Sequence, residues 1–252
     1  MSSLLVILTG ATKWTQKDGS QRPTGFWGEE FVEPHKAFTR AGVELTVATP
    51  GGRPATVDEL SLTAEANGGD EQKVAELRSY LESTRDLLAA PRKLEDIDPA
   101  GFDGVFIPGG HGPMQDLAVN EDVARVLQTL VPDPSKVVAS LCHGQASFLA
   151  AGDDGGQWLF KGRRMTSFTD EEETQTGLAA NAPWLLATRL KEAGADFQPG
   201  PAWSSHVVVD GNLVTGQNPA SAAAAAQAVL GELAARAASG TSPTQREQEV
   251  HA

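Results

Sequence analysis

The chain has 252 residues, 40 % of them hydrophobic, and its 33 acidic and 20 basic residues give a formal net charge of −13. This length favours one large domain with an insertion rather than two domains. The negative charge argues against binding to nucleic acid, which requires a basic face, and against docking on anionic lipid. No apolar stretch approaches a transmembrane span, and the amino terminus lacks the basic region of a signal peptide. We therefore expect a cytoplasmic protein.

Apolar, β-forming runs alternate with stretches of helical periodicity along the chain. We predict strands at residues 4–8, 44–49, 104–108 and 137–141, with helices between them. This order is typical of βαβ units, in which a mainly parallel sheet carries helices on both faces. Further along, alternating apolar residues flank Asp210 and Gly211, the pattern of a type I′ hairpin. An antiparallel pair is therefore expected beside the sheet.

A long connection over residues 56–99 separates the second and third of these strands. Its centre, residues 71–90, has apolar residues at helical spacing. We interpret the connection as a helical insertion, which either caps a functional site or packs as a peripheral helix on the sheet. Residues 1–238 are expected to form a single α/β domain. Residues 239–252 lack apolar periodicity and are expected to be a disordered tail.

The only cysteine, Cys142, lies where the strand predicted at 137–141 ends and a helix begins. It cannot form an internal disulfide, which fits a reducing compartment. At the carboxyl end of a parallel strand, its thiol would sit on a sharp turn where helix amides and the helix dipole favour the thiolate. We predict a strained backbone with positive φ at this residue. The alternative is a small buried hydrophobic residue, a common role for a free cysteine.

The residues around Cys142 favour a nucleophile. His143 follows directly, and a histidine beside a thiol is the usual partner that activates it. Gly109, Gly110 and His111 follow the strand predicted at 104–108. Glycines there allow the backbone to approach a ligand closely and to aim N–H groups at an oxyanion. Two such loops after two neighbouring strands indicate one shared site.

Two acidic segments are candidates for acid–base catalysis. Glu29 and Glu30 lie at the start of the first predicted helix, beside Phe26 and Trp27, which suggest a buried carboxyl with a raised pKa. Adjacent helical positions diverge by about 100°, so only one of the two acids can face the thiol. The cluster at residues 170–173 follows a strand predicted at 165–168, and one of its members could orient His143. Both segments could instead be ordinary solvated acids.

Four segments together resemble the ThiJ/PfpI superfamily: GGHG, SLCHGQASFLAA, SFTDEEE and DGNLVTGQNPASA. The resemblance runs from about residue 4 to residue 233. It implies the α/β fold of class I glutamine amidotransferases, a flavodoxin-like three-layer sandwich with a mainly parallel central sheet, a nucleophile elbow and a helical insertion. The region around Glu30 and the long insertion resemble the glutathione-independent glyoxalase III branch, which includes heat-shock chaperone-like members.

The resemblance implies a role for each matching residue. Cys142 is the elbow nucleophile and His143 its adjacent base, while Glu30, rather than Glu29, contacts the thiol. The amides of Gly110 and His143 form the oxyanion hole.

The third member of the triad is less sharply placed by the same resemblance. Glu173 matches it best, and a shift of one residue would select Glu172. The remaining pocket residues implied are Gly109, His111 and Trp27.

The implied activity is a glyoxalase III-like conversion of small dicarbonyls such as methylglyoxal to hydroxy acids, of the D-lactate dehydratase type, by a homodimer. The alternatives are a cysteine hydrolase, deglycase or amidase of the same superfamily, or a stress-response chaperone or redox sensor. Glutamine hydrolysis is not expected, because the distant His-x-Glu pair is missing and Ser140 replaces a glycine of the G-x-C-x-G pattern. No two of the five histidines are four residues apart and the one cysteine is already assigned, so we predict no metal. We also predict no cofactor, because the thiol and carboxylate would supply all the chemistry of the implied reaction.

Overall fold

A seven-stranded sheet forms the centre of the computed structural model, which describes residues 2–152 and 155–240. Its strands lie in the spatial order β10-β11-β7-β6-β1-β4-β5, and two short strand pairs, β2–β3 and β8–β9, lie outside it. In chain order the strands are β1 (Ser3–Ile7), β2 (Lys13–Thr15), β3 (Gln21–Pro23), β4 (Glu44–Thr49), β5 (Arg92–Lys93), β6 (Gly104–Ile107), β7 (Val137–Leu141), β8 (Arg164–Met165), β9 (Asp196–Phe197), β10 (Val207–Asp210) and β11 (Leu213–Gly216).

All neighbouring strands of the large sheet are parallel except β10, which pairs antiparallel with β11 at one edge. Numbered in chain order, the strands β1, β4, β6, β7 and β11 lie in the order 2-1-3-4-5, the flavodoxin-like arrangement. The four predicted strands and their parallel pairing are confirmed, with β1 and β6 each ending one residue earlier than expected.

Helices cover both faces of the sheet. Leu4 and Phe106 point to the face that α1 and α8 cover, whereas Leu5 and Ile107 point to the face that α5 and α7 cover. This alternation buries each strand on both sides and confirms the three-layer sandwich. The helices are α1 (Gly28–Arg40), α2 (Glu71–Ser83), α3 (Arg85–Ala89), α4 (Gly112–Gln115), α5 (Glu121–Leu130), α6 (Asp170–Gln175), α7 (Leu186–Ala193) and α8 (Ala222–Gly240).

The insertion combines the two arrangements considered for it. Helix α2 is peripheral: it packs on α1 through the buried Leu77, and its Lys73 lies 2.6 Å from Glu29. The segment before α2 reaches the carboxyl edge of the sheet, where the amide of Gly28 donates to the Ser61 hydroxyl at 3.0 Å. The insertion is not helical throughout, because it returns through β5, which extends the sheet beside β4.

Three local predictions differ from the structure. The β10–β11 turn has a positive φ at Gly211 but not at Asp210 or Asn212, which excludes a type I′ turn. The strand expected at 165–168 is confined to β8, since the residues after Met165 turn away toward α6. The helix that begins at Cys142 is a 3-10 helix over Cys142–Ala150 and not an α-helix.

Two further expectations concern the carboxyl-terminal tail and membrane-spanning helices. Ser239 and Gly240, predicted to begin a disordered tail, are the last residues of α8, and the rest of that segment lies outside the described residues. Within the described ranges, no helix combines the length and the apolar character that a membrane crossing requires.

Candidate active site

The two loops predicted to form a site do meet, because β6 and β7 are adjacent and parallel. Ile107 pairs with Ser140, so the chain leaves both strands at the same edge of the sheet. The β6 loop carries Gly109, Gly110 and His111, and the β7 strand leads directly into Cys142. The β1–β6 neighbourhood is also the point where the strand order reverses, the usual ligand position in an open α/β sheet.

Cys142 occupies the strained turn that the sequence predicts. Its φ is 57°, although it is not a glycine, and its side chain is buried. Such a backbone costs about 1–3 kcal/mol and persists only where the surroundings impose it. Gln145 supplies one such constraint, since its side-chain amide donates to the carbonyls of Thr166 and Gly216 at 3.0 and 2.9 Å. The turn is thus tied to two neighbouring segments.

A chain of contacts links the thiol to a carboxylate. Sγ of Cys142 lies 3.3 Å from Nδ1 of His143, and Nε2 of His143 lies 2.6 Å from Oε2 of Glu173. Since a carboxylate oxygen accepts, the proton of the neutral ring belongs on Nε2, which leaves the lone pair of Nδ1 facing the sulfur. Burial acts to raise the pKa of Glu173, but the His143 and His111 rings outweigh it and hold that pKa well below its usual range.

Glu172 has different hydrogen-bond partners from Glu173. Its Oε2 accepts from the amide and hydroxyl of Thr169 at 3.0 and 2.9 Å, which completes a capping box at the start of α6. Its Oε1 accepts from the amide of Trp203 at 2.8 Å and from the side chain of Asn218 at 2.8 Å. Of the two candidate acids, Glu173 therefore contacts the histidine, and Glu172 organises the surrounding loops.

Glu30 is fully buried beside the thiol. Its Oε2 accepts from the Gly109 amide at 2.7 Å, while its Oε1 has no N–H or O–H donor among the described residues. Burial raises the pKa of Glu30 to about 8, and hydrogen bonds from Cys142 and Gly109 reduce that effect only in part. Glu29 turns instead toward Lys73 of the insertion, so of the two acids Glu30 is the one buried at the site.

The thiol is not acidified, contrary to the expectation from the helix terminus. Burial raises the pKa of Cys142, and the negative charge of Glu30 and its hydrogen bond raise it further, while the His143 amide lowers it only in part. A short 3-10 helix has a small dipole, and a buried anion beside a second acid is unfavourable. The thiol and Glu30 are therefore predominantly protonated at neutral pH, and a thiolate at Cys142 would require transfer of its proton to a neighbouring base.

His111 is the second imidazole on Glu173. Its Nε2 lies 2.9 Å from Oε1, its ring stacks on Trp14 with centroids 4.6 Å apart, and its Nδ1 has no partner among the described residues. Burial, together with the neighbouring His143 ring, lowers the pKa of His111 to about 4, so this ring is neutral.

The fold also brings together a set of side chains that spacing in the sequence did not reveal. His111, His143 and Glu173 each offer a ligand atom within 4.8 Å of the others. Those atoms already pair with one another as donors and acceptor. The absence of a metal therefore stays a prediction.

A pocket of about 160 Å³ opens over the thiol. Of the predicted pocket residues, Trp27 and His111 line it, whereas Gly109 lies behind it on Glu30, where a Cβ would meet Oε2 at 2.8 Å. The predicted residues Gly110, Cys142 and His143 also contribute to the wall. Sequence reasoning missed the remaining lining residues, which are Arg22, Leu60, Phe168, Thr176, Leu178, Trp203 and Pro219.

Comparisons with known proteins agree with this arrangement. The model of the DJ-1/PfpI family matches residues 23–232. The chain belongs to the DJ-1/PfpI family. It is 30 % identical to glyoxalase 3 of Candida albicans over 91 % of this chain and 98 % of that protein. It is 28 % identical to the protein/nucleic acid deglycase HchA of Pseudomonas aeruginosa, over 92 % of this chain and 79 % of that protein.

A solved structure shows the same likeness in three dimensions. The Rapid Encystment Protein of Francisella tularensis superposes with a TM-score of 0.82 at 25 % identity, covering 92 % of this chain and 99 % of that one. Membership of the DJ-1/PfpI family agrees with the elbow at Cys142 and with the flavodoxin-like order of the strands.

Proposed function

We propose that this protein is a cofactor-free, cysteine-dependent enzyme that converts small dicarbonyls such as methylglyoxal to hydroxy acids. The observation that supports it most is a pair of acid–base groups beside one sulfur. Nδ1 of His143 lies 3.3 Å from Sγ with an ionised Glu173 behind the ring, and the buried, protonatable Glu30 interacts with the same thiol and raises its pKa. A hydrolase needs one base beside its nucleophile. A reaction that moves a proton between two adjacent carbons uses two acid–base groups.

The first step forms a carbon–sulfur bond. Sγ of Cys142 attacks the aldehyde carbon of methylglyoxal while the thiol proton passes to Nδ1 of His143, and the ionised Glu173 stabilises the imidazolium that results. The oxyanion lies on the amides of Gly110 and His143 and then takes up the proton, which gives a hemithioacetal. The neutral resting thiol fits this order of events, because the proton leaves as the bond forms.

The second and third steps complete the conversion. His143 or Glu30 removes the proton from the carbon bound to sulfur and the ketone oxygen takes up a proton, which gives an enediol. The neighbouring carbon then takes up a proton while the hydroxyl on the sulfur-bearing carbon loses one. The product of this shift is a thioester of lactate on Cys142. Water then adds to the thioester carbon, the carbon–sulfur bond breaks, and lactate leaves with the thiol restored. Overall, methylglyoxal and water give lactic acid with no external oxidant or reductant.

The test is the formation of lactate from methylglyoxal by the purified protein in buffer free of glutathione. We expect turnover by the wild type and none by Cys142→Ala. The absence of lactate above that control would overturn the proposal.

The similarity to the deglycase HchA favours one alternative, hydrolysis of an amide, peptide or glycated adduct by the same cysteine. It predicts free amine or peptide and an acyl-enzyme that mass spectrometry detects. The pocket of about 160 Å³ supports the small-molecule reaction more strongly, because a cavity of similar volume holds about one benzene-sized ligand.

A further inference from the structure

Trp203 has an unusual backbone at the mouth of the pocket. Its φ is 61°, and Cys142 is the other non-glycine residue with a positive φ in the described parts of the chain. A bulky residue rarely adopts this conformation, and such outliers concentrate at catalytic sites and ligand clamps. The two strained residues both line the same pocket.

A buried carboxylate holds Trp203 in place. The Trp203 amide donates to Oε1 of Glu172 at 2.8 Å, and the indole N–H donates to the side chain of Gln175. Glu172 is completely buried and accepts from Asn218 as well. Because Glu172 precedes Glu173 in α6, the acid behind the histidine and the anchor of Trp203 lie on one short, rigid helix.

The Trp203 ring is placed against the site rather than in the core. It is 47 % exposed, and its edge meets Phe168 with centroids 5.6 Å apart at 72°. Phe168 in turn lies 4.5 Å from the His143 ring. Leu60, from the insertion, lines the same pocket and is also 47 % exposed. Two large apolar side chains thus remain uncovered at the entrance to a catalytic pocket, where a ligand would bury them.

We propose that Trp203, together with Leu60, is the specificity-determining surface for the apolar substituent of the substrate. The substrate class is then a 2-oxoaldehyde with an alkyl or aryl group on its ketone carbon, its aldehyde at Cys142 and its substituent against the indole. A volume of about 160 Å³ is close to that of a cavity that holds benzene, so a phenyl group fits. This inference rests on the proposed function.

Three substrates that differ only in the substituent distinguish contact with Trp203 from the reaction at Cys142. Glyoxal has no substituent, methylglyoxal has a methyl group, and phenylglyoxal has an aromatic ring; their products are glycolate, lactate and mandelate. Trp203→Gly removes the indole and suits the left-handed backbone, whereas Trp203→Phe keeps an aromatic face. Val119→Ala is the matched control, because Val119 is 79 % exposed and does not line the pocket.

We expect Trp203→Gly to lower kcat/KM for phenylglyoxal about tenfold and to change kcat/KM for glyoxal less than twofold, since loss of apolar contact in a pocket is worth roughly tenfold or more. Trp203→Phe should keep most of the phenylglyoxal preference, and Val119→Ala all of it. Equal effects on all three substrates, or faster turnover of phenylglyoxal without the indole, would overturn the inference.

A binding measurement keeps the inference testable if the wild type forms no hydroxy acid, which would defeat the proposed function instead. Acetophenone has the aryl ketone without the aldehyde. It should slow alkylation of Cys142 by iodoacetamide in the wild type and in Trp203→Phe, and have little effect in Trp203→Gly. Equal protection in all three proteins would exclude Trp203 as the substituent contact.

Discussion

Oε2 of Glu173 lies 2.6 Å from Nε2 of His143, and this contact fixes which nitrogen of the neutral ring carries the proton. Without an acceptor at that position, the imidazole would be free to carry its proton on Nδ1, where it could not accept the thiol proton. In the proposed mechanism, the ionised carboxylate also stabilises the imidazolium that forms when Cys142 attacks. This contact therefore decides, in that mechanism, whether His143 can accept the thiol proton.

Glu173→Gln should lower kcat for methylglyoxal by at least about 100-fold, because an amide can present N–H to the ring and favours the wrong tautomer. Glu171→Gln is the control, since Glu171 is an exposed residue of the same helix. Lactate formation by both variants, with melting curves to confirm folding, is the measurement. Activity of Glu173→Gln within a few-fold of the wild type would show that the carboxylate does not act through His143.

A capping motif in the sequence distinguishes Glu172 from Glu173 as the acid that contacts His143. Thr169 and Glu172 have the S/T-x-x-E spacing of a capping box, which occupies Glu172 and leaves Glu173 for the histidine. That signal was available in the sequence. The positive φ of Cys142 was predictable for a similar reason, because a strand meets a helix there within a few residues.

Other features could not be predicted from local patterns. Leu60 lies in a short 3-10 helix of the insertion and Trp203 in a turn before β10, and they share a wall of the pocket only because the fold brings these distant segments together. The pKa of Cys142 was misjudged because burial is a tertiary property: the helix terminus is visible in the sequence, whereas the enclosing side chains and the approach of Glu30 are not. A homodimer and a cytoplasmic location remain predictions.

Glu30→Gln should reduce lactate formation sharply, by about 100-fold, because it removes one of the two groups proposed to transfer protons beside the sulfur while keeping an acceptor for the Gly109 amide. Glu29→Gln should change the rate less than twofold, since its partner is Lys73 of the insertion and a partly exposed ion pair contributes at most about 1 kcal/mol. Comparable losses in the two variants would contradict the assignment of Glu30.

The pKa of the Cys142 thiol should fall in Glu30→Gln. In the wild type, burial raises this pKa first and the Glu30 carboxyl raises it further, so removal of the carboxyl favours the thiolate. The rate of alkylation by iodoacetamide as a function of pH reports the titration, which should move to lower pH in Glu30→Gln and stay in place in Glu29→Gln. A shift to higher pH would mean that Glu30 stabilises the thiolate.

The free energy of unfolding should depend on pH because Glu30 is buried. Its folded pKa of about 8 lies above the ordinary carboxyl value of 4.5, so the protonated group stabilises the fold fully below pH 4.5, and this contribution is lost as pH rises through 8. In urea unfolding, the free energy of unfolding of Glu30→Gln minus that of the wild type should increase between pH 5 and pH 8.5 by an amount on the order of a few kcal/mol. A difference independent of pH would mean that the carboxyl titrates normally.

The strain at Cys142 predicts an unusual ranking of two inactive variants. At a φ of 57°, alanine keeps the unfavourable contact between Cβ and the backbone, which costs roughly 1–2 kcal/mol, and glycine removes it. Elsewhere in a regular element glycine is less stable than alanine by about 0.5–1 kcal/mol. We therefore expect Cys142→Gly to be at least as stable as Cys142→Ala in urea unfolding. Ala146→Gly, at a buried position of the same 3-10 helix without positive φ, should be destabilised. The contrary result would be a free energy of unfolding for Cys142→Gly that is lower than that of Cys142→Ala, by as much as Ala146→Gly is lower than the wild type. The backbone at Cys142 would then not be strained.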